Sequence, residues 1–283
     1  MAPAAFSWCG PWRGPGDGRP DLPLPPGPMP LRRDGNLRKR WRYVGFYGER
    51  LMLCAARAEV GPTGTSFWVL WDRERNRELA RTTLRPGSRE VVLDGPRLLI
   101  DSPGLHADLR LGAAEPIESI CPGETGWGWT RKRAGVPIEG TVEVPGRRLA
   151  VEGLGVDDES AGYQDRHTSW LWSAGVGTAG DGRPVAWNLV EGINDPPQMS
   201  ERAVWVDGTP HEPAPVAFEG LDAVRFADSS RLTFAGEAER TRDDNFLLIR
   251  STYRHRFGTF RGALDGLELA EGRGVMESHT ALW

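Results

Sequence analysis

From Trp41 onward apolar residues come in short runs cut by Gly, Pro, Asn and Asp, and no long stretch keeps a helical period, so the pattern predicts β structure. Leu51–Val60 leads through Gly-Pro-Thr-Gly into residues 65–71, where Phe67, Val69 and Trp71 alternate with Ser66, Trp68 and Leu70. Both faces of that run are apolar, which marks a central strand. Residues 91–93 and 98–100 flank Asp94-Gly95-Pro96, Leu105–Leu111 alternates between apolar and polar, and 140–144 joins 148–151 through Pro145-Gly146. Residues 170–176 and 184–190 bracket Gly180-Asp181-Gly182-Arg183, 203–206 turns on Asp207-Gly208, and 223–226 turns near Ser229. A long strand over about 246–264 returns through Asp265-Gly266 to 267–269.

So many short strands at this spacing predict an all-β protein of two antiparallel barrels or sandwiches packed together. Residues 1–30, dense in Pro and Gly, form a mobile or surface-hugging arm, because proline lacks the N–H donor and glycine is too free to hold a regular element. The segment GETGWGWTRKRAGVP breaks strand periodicity and places a boundary within 122–137. The expected units are an arm at 1–30, one β domain at 31–130 and another at 131–283. Gly258, Gly262 and Gly274 mark places where strands bend to close a barrel.

Composition narrows the function classes. The net charge of −4 gives no polyanion-binding surface, and the basic run Arg38, Lys39, Arg40 and Arg42 precedes a strand pattern rather than a recognition helix, so no nucleic-acid partner is expected. Cys9, Cys54 and Cys121 are an odd number at unrelated spacings and read as free thiols in a reducing compartment. No apolar run is long enough to cross a bilayer. The N-terminus lacks a basic region followed by an apolar one, which predicts a cytoplasmic protein. There are 12 Trp against 4 Tyr. Indoles in such number either fill two β cores or line a cavity for a flat apolar ligand.

Candidate chemistry sits first in GYQDRHTSWLWSAGVG. In an extended chain Tyr163, Asp165 and His167 share a face, as do Trp170 and Trp172. A carboxylate beside an imidazole fixes its tautomer, and a phenol nearby donates a proton or holds an anion, so the three are the expected catalytic row. Glu277-x-His279 echoes Asp165-x-His167. Were the two pairs to converge they could hold a divalent metal, although no histidine motif supports one, and neither a metal nor a cofactor is expected. Glu277 and His279 otherwise pin the last strand. Glu191 and Asn194 stand in the loop VEGINDPPQ, at the rim where binding groups sit. With Trp170, Trp172, Trp127 and Trp129 these make the expected substrate-binding set. No phosphate loop, dinucleotide fingerprint or Gly-x-Ser-x-Gly elbow occurs.

The runs LRRDGNLRKRWRYVGFYGERLMLCAARAEVG, YQDRHTSWLWSAGVG and HRFGTFRGALDGLELAEGRGVMESHTALW resemble the bacterial family DUF2804, a domain of unknown function, over nearly all the chain after Pro30. That family is similar in turn to a group with paired lipocalin-like barrels, which includes carotenoid 1,2-hydratases, tocopherol cyclases and fungal Diels–Alderases. The resemblance implies a lipocalin-like fold and redox-free work on long apolar molecules. Tyr163-Gln-Asp165 is similar to the tyrosine and aspartate of the carotenoid hydratases, and departs from them where Arg166 precedes His167. The expected function is a cofactor-independent acid–base enzyme, a hydratase, cyclase or isomerase acting on an isoprenoid- or polyketide-like molecule. In it a desolvated Asp165, assisted by Tyr163 and His167, moves the proton. A non-catalytic carrier of lipid-like molecules is the alternative. A carbohydrate-active sandwich with Glu191 and Glu277 as paired carboxylates is a weaker one.

Overall fold

The computed structural model describes residues 10–246 and 249–282. Expectations about residues 1–9, the Cys9 thiol included, and about Trp283 lie outside the described residues. The described chain is all-β, in two large antiparallel sheets of 11 and 9 strands. Most strands expected from sequence are present, and several run much longer: Trp127–Val144, Arg147–Gly162, Arg231–Phe246 and Leu267–Leu282.

The main path of the first sheet begins at Arg77–Thr83 and continues through Thr63–Asp72, Leu51–Val60, Lys39–Tyr47, Arg147–Gly162 and Trp127–Val144 to three short strands. The second sheet repeats this order. It begins at Thr209–His211 and passes through Ala203–Val206, Pro184–Glu191, His167–Ala179, Leu267–Leu282 and Ile249–Leu264 to Arg231–Phe246 and two short strands. The chain has folded one topology twice without a visible sequence repeat.

Each sheet curls over its own apolar core. Val44, Leu53 and Leu70 meet Ile100, Leu109 and Val142 inside the first half, and Trp187, Leu189 and Val204 meet Phe234, Phe260 and Met276 inside the second. A third core, with Tyr47, Met52, Val69, Val156, Ala174, Phe257 and Val275, lies between the halves. The seam is also pinned by the Trp205 indole donating to the Glu115 carbonyl at 2.8 Å and by Arg73 paired with Glu237 at 2.7 Å.

The division between sheets falls later than the sequence suggests. Segment 122–137 runs into the Trp127–Val144 strand. Its broken alternation comes from a bulge between Ala134 and Val136, where Gly135 takes a φ of +69° and shifts the register by one residue. The chain changes sheet between Gly162 and His167, so the hydrogen-bonded units are 12–162 and 167–282 rather than a division at 130/131. Residues 10–30 of the arm are packed down: Leu24 and Met29 are buried against Ile120, Trp127, Trp129 and Tyr163.

The curl of the second sheet depends on a transverse row in which Gly236 pairs with Gly258, Gly258 with Gly274, and Gly274 with Gly175. Rings lie close to where side chains would stand at Gly175 and Gly258. A Cβ at Gly175 would meet the Trp187 ring at 2.3 Å and the Arg273 carbonyl at 2.7 Å. Trp187 is fully buried, with its indole N–H on Ser173 Oγ. Gly175→Ala is therefore expected to cost about 1–3 kcal/mol in urea unfolding, the usual cost of overpacking. An unchanged midpoint would show that the ring has room to move.

Candidate functional site

A cavity of about 470 Å³ opens at the seam between the halves, with a mostly apolar lining. Its walls are two cross-strand rows that face each other. On the first sheet Phe67, Ala56, Tyr43, Asp158 and Lys132 stand opposite one another on successive strands. On the second, Trp172 pairs with Glu277, and one step along Trp170 pairs with His279 and His279 with Tyr253; His255 pairs with Glu277 but is not among the lining residues. Because the topology is duplicated, Tyr43–Asp158–Lys132 and Trp172–Glu277–His255 occupy corresponding strands. Each row reads aromatic, carboxyl, base.

The two carboxyls have opposite fates. Lys132 Nζ lies 2.6 Å from Asp158 Oδ2 and 3.3 Å from Glu201 Oε1, with all three side chains nearly sealed from solvent. Burial opposes the lysine's charge, but Asp158 and Glu201 outweigh it and hold its pKa above the ordinary value. Glu201 also accepts from Asn194 Nδ2 at 2.9 Å, and burial still raises its pKa. Among the described residues no cation is paired with Glu277. Burial pushes its carboxyl up to about 7, with the Asp158 charge adding to the rise. The Trp170 indole N–H, donating to Oε1 at 3.0 Å, the Tyr253 hydroxyl and Lys132 oppose it. That leaves a carboxyl poised near neutrality on a largely apolar wall.

The imidazoles beside it are neutral. Burial lowers His255 to about 3 and His279 to about 4. His279 Nε2 lies 2.8 Å from Ser251 Oγ and its ring stands edge-on to Trp170. His255 Nε2 is 3.3 Å from the Tyr43 hydroxyl, and the Tyr43 ring stands edge-on to Trp172. The Tyr253 hydroxyl is enclosed, faces the Glu277 carboxyl, and has no partner at hydrogen-bond distance among the described residues.

Of the residues expected from sequence to bind substrate, Trp170, Trp172, Asn194, Glu277 and His279 line this cavity. The other three do not. Glu191 accepts from the Phe218 N–H, Trp127 packs on Tyr163 under Arg33, and the Trp129 indole donates to Glu118. Glu191 and Glu277 thus do not flank a common space.

The expected catalytic row is dispersed as well. Tyr163, Asp165 and His167 share a face only in a continuous strand, and here the chain leaves one sheet after Gly162 and enters the next at His167. Tyr163 is buried under the arm, its hydroxyl donating to the Pro30 carbonyl at 2.6 Å. The Asp165 carboxylate accepts from the backbone of Glu124 and Thr125 and from the Thr125 hydroxyl. Burial works against its charge, but these bonds and Lys39 hold its pKa below the ordinary value, the reverse of what a proton donor needs. His167 is exposed. Asp165 and His167 therefore do not meet Glu277 and His279.

Sequence reading missed Lys132, Asp158, Glu201, Tyr43 and Tyr253. Lys132 carried a signal: it sits between exposed Arg131 and partly exposed Arg133, at the inward phase of an alternating run, where an unpaired charge is costly. The bulge at Gly135 obscured that phase.

Fold and cavity together define a class: an all-β protein of two like antiparallel halves with a carboxyl-bearing apolar cavity at their seam. Residues 82–283 match the family described as "Domain of unknown function (DUF2804)", and the chain belongs to that family, as its sequence suggested. No curated protein matches the chain. Among solved structures it is similar to kievitone hydratase from Nectria haematococca, with a TM-score of 0.57, 12% identity, and coverage of 85% of this chain and 88% of that one. It is also similar to a putative AttH from Nitrosomonas europaea, with a TM-score of 0.52, 13% identity, and coverage of 90% and 97%. A fainter likeness, to CghA in complex with Sch210972, has a TM-score of 0.41 at 8% identity over 87% and 88% of the two chains and carries no argument. At these identities the likeness is one of fold. No helix among the described residues is long and apolar enough to cross a membrane.

Proposed function

We propose that the protein is an acid–base enzyme acting on an unsaturated, largely apolar small molecule, with Glu277 as the proton donor. The observation that carries this reading is a buried carboxyl held near pKa 7 on the wall of a mostly apolar cavity. A general acid works best with a pKa near the operating pH, where protonated and ionised forms are both populated. The cavity lies in the size range of small-molecule sites, and an isoprenoid- or polyketide-like skeleton fits its indole and phenol walls.

The chemistry balances on one residue. Glu277 gives its proton to one carbon of a C=C bond, a water oxygen bonds to the other carbon, and the water's surplus proton returns to the carboxylate. The net result is hydration with the acid restored. If the carboxylate instead takes a proton from a neighbouring C–H, the outcome is isomerisation. Tyr253 and Trp170 steady the carboxylate between steps, and neutral His279 holds the Trp170 ring in place. One protein of the same fold bears the name of a hydratase; the reaction class is proposed here from the cavity's chemistry.

The test is incubation of the purified protein in heavy-oxygen water and in deuterium oxide with a panel of prenylated phenols and acyclic isoprenoids, followed by mass spectrometry. Incorporation of the oxygen label or of carbon-bound deuterium is expected. Panel members that bind and return unlabelled would replace this reading by that of a non-catalytic carrier.

A further inference from the structure

The seam cavity has a lopsided chemistry that acid catalysis alone does not require. Around Glu277 stand π-systems from both sheets: Trp170 and Trp172 on the strand to one side of it, Tyr253 on the strand to the other side, and Tyr43 and Trp41 from the facing sheet. Trp170 lies nearly parallel to Trp41, with ring centroids 6.3 Å apart. Ring faces carry partial negative charge. Three carboxyls, Asp158, Glu201 and Glu277, line the same end against a single lysine, and that lysine is already shared between two of them.

Of the other basic side chains in the lining, one is ion-paired, and Arg240 is held by neutral oxygens while its charge acts on Tyr253 and His255. Arg242 is paired with Asp244 at 2.5 Å. Arg240 reaches across the seam to the Trp68 carbonyl and the Thr82 hydroxyl, over the Phe67 ring. The end of the cavity that holds Glu277 therefore combines ring faces, an excess of carboxyls and an enclosed phenol hydroxyl that faces Glu277.

We propose that this cavity selects ligands that carry or develop positive charge: quaternary or tertiary ammonium groups on an apolar body, and by the same physics a carbocation formed when Glu277 protonates an alkene. The inference rests on the reading of the seam cavity as a ligand site and deepens it by naming the charge character of what binds. Cation–π attraction grows when water is excluded, and a quaternary ammonium gives up no donated hydrogen bonds on entering. A site complementary to a cationic intermediate binds stable cations of the same shape more tightly than their neutral counterparts.

The pH dependence follows from the groups that face Glu277. On its own sheet His255 and His279 stay neutral above pH 5, and Tyr253 stays protonated because burial raises it. From the facing sheet Tyr43, Tyr47 and Cys54 are all raised by burial and stay neutral, while Lys132 stays charged. Arg240 and Asp158 also line this cavity. Glu277 therefore sets the change near neutrality. Glu201, also raised, acts in the same direction, and a Glu277 variant separates the two. Cation affinity must rise as pH passes upward through about 7.

The experiment uses a matched pair, benzyltrimethylammonium and its carbon isostere neopentylbenzene, titrated against the full chain by tryptophan fluorescence and calorimetry at pH 5.5 and 8. The expected result at pH 8 is binding of the cation about 10-fold tighter than of the isostere, in line with one or two cation–π contacts plus a carboxylate. This preference should shrink several-fold at pH 5.5 and in Glu277→Gln, while isostere binding by the variant confirms an intact cavity. Equal or weaker binding of the cation at pH 8, with the isostere bound, overturns the charge inference and leaves the acid–base reading standing. Failure of both probes to bind overturns both.

Discussion

Glu277→Gln is expected to abolish proton transfer while leaving the cavity in place, with the labelling rate falling by about 10²–10⁴, the usual contribution of a positioned acid. Gln keeps the shape of Glu, and its carbonyl still accepts the Trp170 indole N–H. What it lacks is a transferable proton. The same variant has a stability signature that needs no substrate. The folded-state carboxyl is raised to about 7 from an ordinary value of 4.5. Its protonated form is therefore favoured by folding, and the stability it contributes is complete below about pH 4.5 and lost as pH rises through 7. The shift corresponds to about 3 kcal/mol as an order of magnitude. Wild type should lose that much stability relative to Glu277→Gln between pH 4.5 and 8 in urea unfolding. Parallel pH profiles would mean that Glu277 titrates like a solvated carboxyl.

Lys132→Met should be the most destabilising change in the cavity, at about 3–5 kcal/mol, because it strands Asp158 and Glu201 as buried charges that have lost their shared cation. The Lys132→Met, Asp158→Asn double variant should recover part of the loss, since one stranded charge goes with its partner. Urea midpoints of the three proteins measure this. A single-variant cost below about 1 kcal/mol would show the triad to be hydrated. Lys132–Asp158 and His255–Glu277 occupy corresponding places in the two halves. The lysine gives one carboxyl a paired cation, while the neutral histidine leaves the other to titrate.

Much of the fold was legible because alternation, Gly-containing turns and the scarcity of helical period are local properties. Hairpins such as Leu51–Val60 with Thr63–Asp72 follow from their turn residues. The division of the chain was misread because a bulge at Gly135 makes one continuous strand look like two segments. The polar Arg231–Phe246 strand escaped notice because residues 239–245 are all exposed or partly exposed and carry no apolar alternation. The site was half legible. Trp170, Trp172, Glu277 and His279 were singled out because residues two apart on a strand share a face, and here they do. Tyr163, Asp165 and His167 obeyed the same spacing rule on a segment that crosses between sheets, where the rule does not apply. Lys132 and Asp158 face each other across one hairpin of the first half, whereas Glu201 and Tyr253 come from the second, and only the pairing of the two halves brings the four to one cavity.

The most direct measurement is the titration of Glu277 itself, by carboxyl-carbon NMR of protein labelled at glutamate and assigned through Glu277→Gln. The carboxyl resonance that is missing from the variant should titrate with its midpoint near 7. A Glu277 resonance titrating near 4.5 would contradict it.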